Sequence, residues 1–132
     1  IKKNKSNLIR QKITTMYFNY GLKNKIPIIG VCYGSQFIAA KCRCEIKALP
    51  NHTKPHNIIY KDKIIRVNSY HNFGVIKLRK NLINLAQAGD KSVELFIHRS
   101  KKILGIMWHP ERYRKFKKFD KDLINKFLRD KL

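Results

Sequence analysis

The stretch Ile26-Pro-Ile-Ile-Gly-Val-Cys-Tyr-Gly-Ser-Gln-Phe-Ile-Ala-Ala-Lys-Cys42 decides the fold. Residues 26–32 are short, apolar and rich in β-branched side chains, the pattern of a strand buried on both faces of a parallel sheet. Beyond Gly34, residues 36–42 are good helix formers, so the chain reads as strand, sharp turn, helix. The turn itself is Gly30-Val-Cys32-Tyr-Gly34, the cysteine counterpart of a Gly-x-Ser-x-Gly nucleophile elbow. Two glycines relieve crowding around a strained residue and let a substrate approach the sulfur. The free N–H groups and positive dipole end of the following helix are expected to favour the thiolate, and the Tyr33 amide lies where an oxyanion would develop.

Upstream, Leu8, Ile9, Ile13, Met16, Tyr17, Tyr20 and Leu22 recur at three- and four-residue steps between Asn7 and Asn24, predicting an amphipathic helix. Downstream, residues 57–60, 63–67 and 75–78 are brief β-branched pieces separated by turn signals, expected as short and partly antiparallel strands. Residues 82–88 and 92–98 predict two more strands around a turn at Gly89-Asp90, and residues 103–108 another buried one. Phe119, Leu123, Ile124, Phe127 and Leu128 then mark a closing helix within residues 116–132.

The chain has 132 residues and a formal net charge of +22, from 30 Lys+Arg against 8 Asp+Glu. At 43% hydrophobic content it reads as one globular domain over residues 1–132 rather than a disordered tail. Lysine is spread through nearly every segment, and the one dense patch, Arg112 to Lys118, also reads as a solvated helix start. Nucleic-acid binding is therefore not the expected primary function, whereas an anionic small-molecule substrate would benefit from the field. No apolar run approaches the length of a membrane span and no signal-peptide pattern is present, so a cytoplasmic chain is expected, truncated at a start that lacks Met.

Cys32, Cys42 and Cys44 cannot pair completely and are expected as free thiols. Cys42-Arg-Cys44 with His52 and His56 offers four metal ligands on paper, but the cysteine spacing is too narrow for a zinc site, and ordinary residues at a helix end are preferred. A cysteine nucleophile wants a base, and the strand ending at Trp108 delivers His109, followed by Pro110 and Glu111. Residues two apart in an extended chain point the same way, which lets Glu111 orient the imidazole. Parallel sheets carry functional residues beyond the carboxyl ends of their strands, where Cys32 and His109 both fall. Without Cys32, His109 would read as a strand-end histidine with no role and Glu111 as a helix-start carboxylate beside Arg112.

Together, residues 28–36 (Ile-Ile-Gly-Val-Cys-Tyr-Gly-Ser-Gln), 67–71 (Val-Asn-Ser-Tyr-His) and 105–111 (Gly-Ile-Met-Trp-His-Pro-Glu) resemble the class I glutamine amidotransferase domain, particularly its γ-glutamyl hydrolase branch, peptidase family C26. The resemblance implies a three-layer α/β/α, flavodoxin-like domain with a mostly parallel central sheet. It implies a Cys32-His109-Glu111 triad, an oxyanion and substrate site at Tyr33, Gly34 and Gln36, and contacts from Ser69, Tyr70 and His71 to the α-amino and α-carboxylate groups of a γ-glutamyl substrate. It implies no metal and no organic cofactor. Residues 90–94 resemble the family's Asp-Gly-x-Ile-Glu strand, with Lys91 in place of the glycine. Within the family, the segments around Tyr70 and His109 look most like the γ-glutamyl-CDP-amidate hydrolases of capsule biosynthesis. The chain resembles only the carboxyl-terminal two-thirds of the domain, without the first strands and the Gly-Gly-Asp loop that supplies a second oxyanion amide.

Three functions follow as expectations. The first is hydrolysis of a γ-glutamyl amide through a Cys32 thioester. The second is the glutaminase half of a synthase-type amidotransferase that passes ammonia to a partner. The third is a truncated, inactive homologue or a basic binding module.

Overall fold

The computed structural model describes residues 5–132. Helix α1 spans Lys5–Lys23, strand β1 Ile28–Val31 and helix α2 Tyr33–Lys41. Strands β2 (Glu45–Ala48), β3 (His56–Tyr60), β4 (Lys63–Val67), β5 (Phe73–Lys77), β6 (Leu82–Ala88), β7 (Val93–His98) and β8 (Ile103–Ile106) follow. A short 3-10 turn at Pro110–Arg112 leads to helix α3, Lys118–Leu128. All strands join one sheet whose main path runs β1-β8-β7-β6-β3-β4, with β5 pairing β7 and β2.

The expected α/β layering holds. Along β7 and β8, alternate side chains enter two apolar cores. Leu95, Leu104, Ile106 and Trp108 pack with Leu123 and Phe127 of α3, while Val93, Phe96 and Ile103 pack with Ile38 and Ala39 of α2. The sheet thus separates α2 from α3. Inside the α3 core the indole N–H of Trp108 donates to Asp120 Oδ1 at 2.9 Å, so the polar edge of the largest buried side chain is satisfied.

One expectation is corrected. Among the described residues only β1 and β8 run parallel, and every other pairing is antiparallel. Chain connectivity is the reason: β3–β4 and β6–β7 are joined by tight turns, which permit only antiparallel neighbours, whereas β1 and β8 lie far apart in sequence. The turn into β7 places Lys91 at φ 68°, the left-handed region that the resembled glycine would occupy without a Cβ penalty.

Two elements differ from the sequence reading. Strand β2 was not expected; its Glu-Ile-Lys-Ala is short and half polar, and it pairs only with β5. Helix α1 forms as predicted, but of the residues its periodicity marks only Leu22 joins the packed face. Phe18, Gly21 and Leu22 pack on the sheet side, with Phe18 edge-on to Phe37 at 5.5 Å. Ile9, Ile13, Met16, Tyr17 and Tyr20 remain exposed, because the described residues supply nothing beyond the β1 edge to cover them.

Gly105 in β8 lies directly under the Phe96 ring, and a Cβ there would collide with three ring carbons. Gly105→Ala is expected to destabilise the fold by about 1–3 kcal/mol through overpacking. Urea unfolding should show the midpoint falling with an unchanged slope.

Candidate active site

The register Val31↔Ile106 carries β1 and β8 side by side to their carboxyl ends, and the Cys32 amide extends the ladder by donating to Ile106 O at 2.7 Å. Cys32 then breaks from the strand at φ 50°, ψ −100°, a strained conformation for a residue with a Cβ. Its carbonyl accepts from the Gln36 amide at 3.0 Å, which closes the first turn of α2. The elbow has its steric cause in Gly30, where a Cβ would meet the Gly34 carbonyl carbon at 2.6 Å. Gly34 plays the other part, since a Cβ there would meet nothing within 4 Å, and that side of the turn stays open.

The thiol differs from the sequence expectation. Burial pushes the Cys32 thiol up and outweighs the Tyr33 amide and Arg112, which act in the opposite direction. Glu111 and Glu94 add to the rise. The free protein therefore holds Cys32 as a thiol rather than a thiolate at neutral pH.

Far along the chain from Cys32, His109 sits just past β8, with Nδ1 2.5 Å from Glu111 Oε1. The strand bends into the 3-10 turn at this point, and Pro110 fixes its first residue. Asn68 holds the bend in place: its side-chain carbonyl accepts from the His109 amide at 2.8 Å while its side-chain N–H donates to the His109 carbonyl at 2.9 Å. The Asn68 amide in turn donates to the Tyr113 hydroxyl at 2.9 Å. Sequence reading quoted Asn68 inside the 67–71 motif but gave it no role; the available signal was an amide side chain directly after the β-branched run that forms β4.

Of the segment after β4, Tyr70 is exposed, lies edge-on to His109 at 5.5 Å, and carries the Arg112 guanidinium over its ring at 4.4 Å. Ser69 and His71 turn inward instead. The Ser69 hydroxyl donates to the His52 carbonyl, and His71 Nδ1 donates to Phe73 O at 2.8 Å. On the other flank Gln36 donates to Phe73 O at 3.0 Å, and Arg10 stacks 3.9 Å over the Tyr33 ring. Arg10, Tyr33, Gln36 and Phe73 line a cleft of about 440 Å³ with Ile46 beside the elbow.

The match to the family of class I glutamine amidotransferases covers residues 5–131, nearly all of the chain. The protein belongs to that family. It is 40% identical over 91 residues to the γ-glutamyl-CDP-amidate hydrolase of Campylobacter jejuni, covering 69% of this chain and 46% of that protein. A glutamine-hydrolysing GMP synthase of Tropheryma whipplei is 32% identical over 126 residues, covering 89% of this chain and 24% of the relative. A glutamine amidotransferase structure from Thermotoga maritima superposes with a TM-score of 0.71 at 17% identity, over 98% of this chain and 60% of that one. The chain thus spans about half the length of the hydrolase it matches.

The raised thiol generates a kinetic expectation. In the ligand-free protein, iodoacetamide should alkylate Cys32 more slowly at pH 7 than it does a simple thiol, with the rate climbing to an inflection above that of a simple thiol. Peptide mapping across a pH series checks it, and an inflection below that of a simple thiol would contradict the burial argument.

Proposed function

We propose that the protein hydrolyses the amide bond of a γ-glutamyl compound with Cys32 as nucleophile, His109 as proton carrier and Glu111 as its orienting carboxylate. The observation that carries this reading is the His109 Nδ1–Glu111 Oε1 contact of 2.5 Å at the end of the strand that pairs in parallel with the one bearing Cys32. A carboxylate on Nδ1 keeps the proton there and leaves Nε2 free to act as base. Burial that disfavours the free thiolate fits a nucleophile activated by proton transfer to such a base rather than by its own low pKa.

In the reaction, the Cys32 proton passes to His109 Nε2 and sulfur attacks the γ-carbonyl carbon. The C–N bond breaks as His109 returns the proton to the leaving amine, and a γ-glutamyl thioester remains. Water then loses a proton to His109 as its oxygen bonds the carbonyl carbon; the C–S bond breaks, and the proton returns to sulfur. The Tyr33 amide is the oxyanion donor of this chain. Gly34 leaves the approach to sulfur open, while Gln36 and Tyr70 border the substrate.

An anionic amine leaving group suits the site. Support comes from the net charge of +22, from Arg10 and Arg112 on the two flanks, and from the name of the Campylobacter relative. A second reading, ammonia transfer to a synthetase partner, draws on the likeness to GMP synthase and predicts glutaminase activity that rises when a partner protein is added.

A chloroketone analogue of glutamine should label Cys32 alone among the three free cysteines, as read by intact mass and peptide mapping. Cys32→Ala should abolish hydrolysis of γ-glutamyl amides, and His109→Ala should cost at least about 10³-fold in kcat. Glu111→Ala should cost less than His109→Ala, because the base survives the loss of its orienter. Equal losses on replacing Cys42 or Cys44 would overturn the assignment.

A further inference from the structure

A second cluster lies in the interior behind Tyr70, built from elements far apart in sequence. His52 comes from the loop before β3, His56 opens β3, His71 lies between β4 and β5, and Glu94 is the second residue of β7. Glu94 is fully buried, and its Oε1 stands 3.3 Å from His52 Nδ1, 3.2 Å from His56 Nε2 and 3.6 Å from His71 Nε2. None of these contacts is a well-directed hydrogen bond: all three ring nitrogens and both Glu94 oxygens are buried without a hydrogen-bond partner.

The far side of each ring explains why. His71 Nδ1 faces the Phe73 carbonyl at 2.8 Å and His56 Nδ1 faces the Lys54 carbonyl at 3.3 Å. A carbonyl only accepts, so both rings carry their proton on Nδ1. His52 Nε2 lies 2.7 Å from Asp90 Oδ2, and the other Asp90 oxygen accepts from both the amide and the hydroxyl of Ser92, which marks Asp90 as an accepting carboxylate. The His52 proton therefore sits on Nε2. In the neutral form, all three histidines present bare lone pairs to a buried carboxylate oxygen. Four electron-rich atoms facing one another are satisfied only by positive charge between them, carried either by protons on the rings or by a metal ion.

A single added proton would bridge only one of the three contacts and leave two lone pairs opposed. A divalent ion serves all four at once and, with Glu94 and Asp90 ionised and the rings neutral, leaves the cluster without net charge. The donor set is suitable: imidazole nitrogen with one carboxylate oxygen binds zinc and its neighbours in the transition series. Tetrahedral ligands on zinc stand about 3.3 Å apart, which the three contacts to Glu94 Oε1 already approach. His52, His56 and Glu94 already place their ligand atoms within 4.8 Å of one another, whereas His71 stands outside that group of three, 3.6 Å from Glu94 Oε1, and must turn inward to complete the set. Hydrogen bonds from each ring's second nitrogen to a carboxylate or carbonyl are the outer support that metal-bound histidines use.

We propose that His52 Nδ1, His56 Nε2, His71 Nε2 and Glu94 Oε1 form a binding site for a divalent transition-metal cation of the zinc class, with Asp90 orienting His52. Sequence reading expected no metal and weighed His52 and His56 only beside Cys42 and Cys44. Among the described residues neither cysteine joins a cluster of three ligand-type side chains. The site is separate from the hydrolase reading and does not depend on it.

The test is titration of the chelator-stripped, reduced full chain with Zn2+, followed by calorimetry and by long-range proton–nitrogen NMR of the histidine rings. One equivalent should bind, and His52 Nδ1, His56 Nε2 and His71 Nε2 should move together to metal-bound shifts. His56→Ala, at the least buried of the rings, should weaken binding by about tenfold or more, and Asp90→Asn by roughly 10–100-fold. The Cys42→Ser, Cys44→Ser double variant should bind as the parent does. Ring nitrogens that stay unshifted at saturating Zn2+ would overturn the proposal without any variant. So would binding that survives His56→Ala and vanishes with the two cysteines.

Discussion

The parallel pairing of β1 with β8 is the constraint on which the site depends. It is the one parallel contact among the described residues, and its register runs without a break from Ile28↔Ile103 to Val31↔Ile106. Because the strands point the same way, both carboxyl ends emerge on one edge of the sheet, and the residues that follow, Cys32 on one and His109 on the other, leave from that same edge. An antiparallel pair would send them to opposite ends. Gly30 and Gly105 serve this pairing from within: they face each other in the register, and each gives up its Cβ to a close neighbour, the first turn of α2 for Gly30 and the Phe96 ring for Gly105.

Strong local patterns were the legible part of the molecule. The elbow, the last buried strand and the closing helix each rest on a marked run of apolar residues, and each formed within the stretch the pattern marked, the strand stopping at Ile106, two residues before Trp108. Strand β2 had no such run; its residues become a strand because β5 offers an edge, a fact of tertiary structure. The inward face of α1 was illegible for a related reason. Periodicity identifies an apolar stripe but not its partner, and Phe18, Gly21 and Leu22 make the packing while the more regular stripe stays exposed. In the candidate site, residues two apart on one strand end were readable, as with His109 and Glu111. Asn68 was not, because it acts on a segment forty-one residues away.

The thiol illustrates how two correct physical arguments are decided by magnitude. The start of a helix does lower the Cys32 pKa through the Tyr33 amide, as the sequence suggested, yet burial raises it more. A sequence displays the helix; it does not display how much water the fold leaves at its first turn. The histidine and glutamate cluster poses the same difficulty over longer range. His52 and His56 are neighbours in sequence, but His71 and Glu94 share no local spacing with them, and only the fold brings the three rings within 3.6 Å of one Glu94 oxygen.

Asn68 grips position 109 entirely through its main chain, accepting from the amide and donating to the carbonyl. The scaffold therefore addresses a place rather than an occupant. Whatever side chain stands there inherits the same backbone anchor, so the chemistry at the strand end and the means of holding it can drift independently. A lineage that lost the imidazole would keep the intact socket, and one that regained it by a single substitution would find the geometry waiting.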